Sequence, residues 1–451
     1  MAIIAPFKGL TYNFDQLNDI PSLITPPYDV ISGEEQDNYY SKNPHNVIRI
    51  IFGKKKTGDS DWDNCYTRAA DYMNKWESED VLVRAGHPSM YITSMEYDPG
   101  DGGGKRVRWG LIALVRIEEE GSGVILPHEK TFSAHKDDRL NLMRACSTQS
   151  SQIFGLYDDS EKVVSGCIEK VRSSSPRISF DFEDGTGHQM WIVQDRAIFR
   201  KVADTMRNKS IFIADGHHRY ETSRNFRNIM RSRHGSKADR SYEYVMMYLT
   251  DMSDAGLTIL PSHRLIKKCE GFNVDDFLEK VRSWFDIKKL DLVQNDRSRQ
   301  VNDLRNQLRE AGESAATIGF HHHNSSCFYL LSIKEAGLDA MGDDDMHPSL
   351  KKLDVLVLAH LLVHKGLGFS AEDMDNDELF HYNSGIEDVI SLVDSGVYEM
   401  AFLLNPTKMD HIKDVAGKSL IMPRKSTYFY PKVLTGLVFN KINPHEIIQT
   451  P

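Results

Sequence analysis

Residues 210–222 read Ser-Ile-Phe-Ile-Ala-Asp-Gly-His-His-Arg-Tyr-Glu-Thr, and no other stretch limits the fold as much. Ile211 to Ala214 form a short apolar run of the kind buried in a sheet, and Asp215-Gly216 turns the chain. The residues from His217 through Arg231 are polar, free of glycine and suited to a helix. A strand, a tight turn and a helix start are therefore expected. Unpaired N–H groups and the positive end of the helix dipole meet at such a turn, which makes it a seat for phosphate. His217, His218 and Arg219 add donors, and Asp215 adds a carboxylate suited to holding a cation or accepting a hydroxyl proton.

The chain has 451 residues, more than one hydrophobic core usually organises, so two or three lobes are expected. A formal charge of -10 argues against a surface built for nucleic-acid backbones, and no nucleic-acid partner is expected. Cys65, Cys146, Cys167, Cys269 and Cys327 are scattered and never spaced as Cys-x-x-Cys, which fits a reducing compartment and gives no zinc pattern. Met1 to Lys8 lacks the basic lead and apolar core of a secretion signal. The longest apolar helical stretch, Leu353 to Val363, is interrupted by His360 and falls short of the roughly 20 residues of a membrane span. A cytoplasmic location without a membrane partner is the expectation, and the sequence carries no signal for oligomeric state.

Pro26-Pro27 fixes a stiff, extended path that a regular helix cannot follow. A strand is expected over Asn46–Ile51, a helix over Asp63–Glu77, and a hairpin from Met90–Tyr97 and Val107–Arg116 across a glycine-rich turn. Lys136–Arg144 has helical spacing, and Gln152–Tyr157 and Gln189–Val193 read as strands. Further on, Trp284–Leu292, Thr317–His323 and Cys327–Ile333 read as strands, Leu353–Val363 and Ile386–Ser395 as helices, and Gly337–Ser349 as a polar loop. The division expected is a lobe over 1–260, containing a core at about 110–260, and a C-terminal α/β lobe over 261–451. Its tail, 422–432, is a candidate to return to the cleft.

A second reactive cluster is His128, Glu129, Lys130 and Arg139. A base, a carboxylate and cations on a loop before a helix suit proton removal beside an anionic substrate. A hydroxyl attacking a phosphoryl group needs a carboxylate to take its proton, cations for the equatorial oxygens and a backbone cradle. Glu129, Lys130 with Arg139, and the Asp215-Gly216-His217 turn offer those parts, with Mg²⁺ on Asp215 and phosphate oxygens as a further element. Adjacent side chains on a helix diverge by about 100 degrees, so His217 and His218 do not form a zinc pair. His321-His322-His323 alternates along a strand and reads as structural, Cys146 reads as an ordinary buried thiol, and Tyr28, Asp29, Arg424 and Lys425 are weaker candidates.

Pro6-Phe7-Lys8-Gly9-Leu10, Pro26-Pro27-Tyr28-Asp29-Val30-Ile31-Ser32, Leu126-Pro127-His128-Glu129-Lys130-Thr131, Ala214 to Thr222 and Pro423 to Lys432 together resemble the domain of unknown function 1015 family. The segment 110–260 resembles the ParB/sulfiredoxin superfamily, especially its free serine kinases, which phosphorylate L-serine with ADP or ATP. That resemblance implies an α+β fold: a mixed-sheet ParB/sulfiredoxin-like core with an added N-terminal segment and a second C-terminal α/β lobe. It gives Glu129 the role of base, with His128 beside it, and makes Asp215 the acidic residue of the turn. Gly216, His218 and Arg219 match the kinases' nucleotide-phosphate turn, and His217, Lys130 and Arg139 join them as cofactor-binding candidates from their charge and position. Sulfiredoxins carry a cysteine where this chain has His217, so sulfinate reduction lacks its nucleophile. A kinase acting on a small hydroxyl-bearing substrate is the leading expectation, using Mg²⁺ and ADP or ATP, with CTP not excluded. A nucleotide-binding regulatory protein of ParB type and a nucleotide hydrolase are the alternatives.

Overall fold

The computed structural model describes all residues except 130–132, 292–296, 326, 343–345 and 375, so Lys130 lies outside the described residues. The chain forms two compact units. The first comprises Met1–Pro127, Thr131–Thr258 and Phe429–Pro451; the second comprises His128–Lys130 and Ile259–Tyr428. Residues 429–451 thus belong with the N-terminal half, not with the lobe that precedes them in sequence.

The first unit is built on a nine-stranded mixed sheet. Its strands are β1 (Ile4–Ala5), β2 (Met90–Tyr97), β3 (Arg106–Arg116), β4 (Ile125–Leu126), β5 (Ile153–Tyr157), β6 (Ile178–Asp181), β7 (Gly187–Val193), β8 (Ile211–Asp215) and β9 (Tyr244–Asp251). Their order is β4-β8-β5-β9-β3-β2-β7-β6, with β1 also on β3. The β8–β4 and β9–β5 pairs are parallel and the rest antiparallel. Every residue of β5 and β9 is buried, as expected of central strands covered on both faces. The expected hairpin is present as β2 and β3, paired from Tyr91–Ile112 to Tyr97–Arg106.

The helices of this unit are α1 (Gly33–Lys42), α2 (Ile48–Ile51), α3 (Cys65–Ser78), α4 (Ser133–Cys146), α5 (Val163–Arg172), α6 (Arg196–Met206) and α7 (His217–His234). The start of α1 is fixed by a capping box: the Glu35 N–H donates to Ser32 Oγ at 3.2 Å, and the Ser32 N–H to Glu35 Oε2 at 2.7 Å. The strand expected over Asn46–Ile51 is instead the short helix α2. Asn46 Oδ1 accepts the Ile48 N–H at 2.8 Å and opens the turn. Ile48, Ile50 and Ile51 are all buried, and so short an apolar run, broken only by half-buried Arg49, gives no period by which to separate strand from helix. Strand expectations at 152–157 and 189–193, and helix expectations at 63–77 and 136–144, are met within a few residues. No described helix is long and apolar enough to cross a membrane.

The second unit has a six-stranded, wholly antiparallel sheet: β10 (His263–Ile266), β11 (Phe285–Asp291), β12 (Thr317–His322), β13 (Cys327–Ile333), β14 (Phe380–Asn383) and β15 (Met400–Leu403), in the order β11-β13-β12-β15-β10-β14. Its main helices are α8 (Val274–Val281), α9 (Arg297–Ser314), α10 (Ile386–Asp394) and α11 (Met409–Gly417). Val301, Leu304 and Leu308 of α9 meet Ile386, Val389, Ile390 and Val393 of α10 in one core, each set at the three- and four-residue spacing that puts side chains on one helix face. The helix expected from Leu353 opens as Asp354–Val357 and continues as a π-helix over Leu358–Leu367. The loop expected at 337–349 is partly helical, with helices over Glu335–Ala340 and Pro348–Lys351. His321 and His322 are buried in β12, and His321 Nε2 lies 2.8 Å from Asp394 Oδ1, a structural setting.

Candidate functional site

Ile211 and Ile213 anchor β8 in the core of the first unit. Near its end the register changes: Ile213 faces Gly155 while Asp215 faces Phe154, so one extra residue is accommodated before the turn. Such a bulge re-aims the side chain beyond it. Gly216 then adopts φ +93°, a conformation that costs a side-chain-bearing residue energy, and α7 begins at His217. Gly216 supplies no side-chain cap, and Arg231, Arg233 and His234 occupy the last turn, where cations complement the dipole.

Asp215 is the hub of this turn. Arg219, one helical turn on, donates from Nη2 to Asp215 Oδ2, and Lys432 donates from Nζ to Oδ1 at 2.6 Å. Side-chain exposures of 17% for Asp215, 11% for Arg219 and 14% for Lys432 shield these pairs from solvent screening. Burial acts to raise the Asp215 pKa, but Lys432, Arg219 and His217 outweigh it and hold the carboxyl well below the usual carboxylate range. Arg219 also donates to the Gln152 carbonyl. Both carboxylate oxygens are thus engaged by cations, and among the described residues no cluster of three or more His, Cys, Asp or Glu could hold a metal ion. A Mg²⁺ ion at Asp215 would compete with Arg219 and Lys432 for the carboxylate.

Lys432 is a member of this cluster that sequence reasoning missed. It comes directly after the segment Tyr428-Phe429-Tyr430-Pro431, whose aromatic rings hold the backbone: Phe429 packs on Phe154 at 5.7 Å and Tyr430 on Tyr97 at 5.4 Å between ring centres. Arg108, fully buried, donates from Nη1 to the Tyr430 carbonyl at 3.1 Å. A lysine directly after an aromatic run in a tail of cations is the available signal, but spacing alone does not say what it touches.

Arg139, on α4, and Arg219 share the lining of a cavity of about 30 Å³ with Thr148, Ser150 and Ser151, room for little more than a water molecule. Arg139 is otherwise committed: Nη1 donates to the Ile51 carbonyl at 2.7 Å, Nε to Asp138 Oδ2 at 2.8 Å, and its guanidinium lies 3.8 Å from the Tyr28 ring centre. Burial pushes the Tyr28 hydroxyl up to about 12, against the pull of Arg139 and Arg219. Asp29 and Tyr28 both act electrostatically on Arg219, so the Pro-Pro-Tyr-Asp segment reaches the turn. His217 is buried and His218 half-buried at the start of α7, where Lys136 of α4 pairs with Glu221 at 2.9 Å. Cys146 is an ordinary thiol, pushed up to about 12 by burial.

In the second unit, His128 and Glu129 lie against the chain's later tail. The Met422 N–H donates to the His128 carbonyl at 2.7 Å, and buried His128 Nε2 lies 3.2 Å from Thr427 Oγ1. The Lys425 N–H donates to Glu129 Oε1 at 2.8 Å, with Lys425 itself at φ +57°. Arg264 donates to the Lys425 carbonyl at 2.9 Å, stacks on Tyr382 at 4.3 Å and feels the charge of Glu129; burial brings its guanidinium down to about 10. Arg424 pairs with Asp377 at 2.9 Å. The sites foreseen from sequence thus fall into two groups: Asp215 to Arg219 with Arg139 in one unit, and His128 with Glu129 in the other.

A family model described as protein of unknown function (DUF1015) matches residues 4–356. The chain belongs to this family. No curated protein matches it. Among solved structures, it is similar to a free serine kinase in complex with AMP, at 10% identity and TM-score 0.37, covering 75% of this chain and 93% of that one. A mutant free serine kinase in complex with ADP gives 9% identity and TM-score 0.38, covering 76% and 95%. C-terminally truncated SbnI from Staphylococcus aureus gives 10% identity and TM-score 0.32, covering 75% and 85%. At such scores the likeness carries no argument about activity.

Proposed function

We propose that this DUF1015 protein is a nucleotide-dependent kinase that phosphorylates the hydroxyl of a small molecule, with L-serine the acceptor to test first. One observation carries the reading: a single carboxylate, Asp215, holds a guanidinium and an ammonium group at the glycine-led start of an 18-residue helix. Fixed cations at the positive end of a helix dipole suit the phosphates of ADP or ATP, and their preorganisation suits charge that builds up during phosphoryl transfer. In this reading Asp215 positions Arg219 and Lys432 and does not itself touch substrate. Glu129 takes the role of base, which rests on the resemblance of its His-Glu motif to free serine kinases. His128 supports it, and His217, His218 and Gly216 complete the phosphate turn.

The test is to incubate the pure chain with L-serine and ADP or ATP, with and without Mg²⁺, and to measure phosphoserine. Product is expected from the parent chain and not from Glu129→Gln. Saturable nucleotide binding with no product from a panel of small alcohols and amino acids would instead favour a regulatory nucleotide-binding protein. Phosphate release independent of any acceptor would favour a hydrolase.

A further inference from the structure

The second unit has a cavity of about 460 Å³, bounded by the end of α9, the residues before β12, the end of β13, the start of the helix at Asp354 and the start of α11. That volume is of the size that takes a small metabolite. Lys351, Lys352, Lys408 and His411 line it, together with Asp354 and Asn405. Lys408 is the residue before α11 and provides no side-chain cap, and Leu353 likewise precedes Asp354–Val357 without one. With Lys334, four lysines wall this space, and the start of α11 opens on it. Opposing charge comes from Glu313 and Glu335, both exposed, and from Asp354. Burial pushes the Asp354 carboxyl up to about 7 against the pull of Lys408 and a hydrogen bond with Asn405, which lessens its opposition to an anion. In a chain of net charge -10, a lining of four lysines against the three carboxyl groups of Glu313, Glu335 and Asp354 is a local reversal of sign.

We propose that this cavity binds a small phosphate ester. A phosphate dianion needs more than one cation, which Lys351, Lys352 and Lys408 supply; Lys408 Nζ donates to the Gly312 carbonyl at 3.0 Å and keeps two further protons, while Asn405 Nδ2 donates to the Leu308 carbonyl at 3.0 Å and braces the wall beside it. The proposal is independent of the kinase reading, which concerns the other unit.

The experiment is calorimetric titration of the full chain with glycerol 3-phosphate, and separately with inorganic phosphate, on the parent, a Lys352→Glu/Lys408→Glu double variant and Arg219→Ala. Both lysines are exposed, so the double variant should fold, which a thermal melt checks. Saturable binding of the ester is expected, weakened about tenfold or more in the double variant and retained in Arg219→Ala. Absence of saturable binding, or an unchanged affinity in the double variant, overturns the proposal. So does loss of binding in Arg219→Ala alone, which would assign the ligand to the Asp215 turn. Tighter binding of free phosphate than of the ester would overturn the assignment to an ester.

Discussion

Asp215 and Glu129 are both carboxylates, yet the two units treat them differently. Asp215 has a side-chain cation on each oxygen and is driven to its charged form. Glu129 accepts the Lys425 N–H and acts electrostatically on buried Arg264, whose side chain braces the same loop. A carboxylate clamped between two cations is a poor proton acceptor, because protonation would forfeit both ion pairs. In the proposed kinase Asp215 therefore positions charge, and the role of base goes to Glu129 through the resemblance of its His-Glu motif to free serine kinases.

That contrast is broken most sharply by turnover. Glu129→Gln is expected to lower kcat by about 10³-fold while nucleotide affinity stays within a factor of about two, the signature of a lost base; equal losses in both would make it a binding residue. Asp215→Ala leaves Arg219 and Lys432 without their shared partner and should destabilise the first unit by about 3 kcal/mol in urea unfolding. A change under about 1 kcal/mol would mean the clamp adds little.

Acid sharpens the comparison further. His188 in the first unit and His263 in the second are held neutral by burial, with pKa values brought down to about 4 and about 3. A depressed folded pKa contributes stability above the unfolded value of about 6.5 and loses it as pH falls, so on the order of 2 kcal/mol per histidine should be gone by pH 5. Asp215 has the same sign in a lower window: its contribution is complete above the unfolded pKa of about 3.9 and is lost only below it. Stability that stayed level from pH 7 to pH 5 would contradict the buried-histidine part. The smallest effect is expected for Arg424→Ala, since its partner Asp377 is 72% exposed: about 0.5 kcal/mol in the same unfolding measurement.

The turn at Asp215 is readable from sequence because each local signal agrees: an apolar run, a glycine that accepts positive φ, and a long polar helix. The capping box Ser32-Gly33-Glu34-Glu35 that opens α1 is a local signal too, but it is not among the expectations drawn from the sequence. Features set by distant contacts are not legible in this way. Ile48, Ile50 and Ile51 are all buried, so the helical state of this run is set by Asn46 and by half-buried Arg49, which donates to the Asn43 and Tyr40 carbonyls at 2.7 Å. The second cation on Asp215 is hidden for the same reason. Lys432 stands 217 positions from the carboxylate it neutralises, beyond the reach of any local pattern.

The most direct measurement of the central claim is the affinity of ADP and ATP for Lys432→Met, by calorimetry on the folded full-length chain. If the Asp215 turn is a phosphate seat, affinity for at least one nucleotide should fall about tenfold or more, while Asp215 keeps its pairing to Arg219 and the fold survives. Affinity equal to that of the parent chain, or no nucleotide binding by the parent itself, would contradict it.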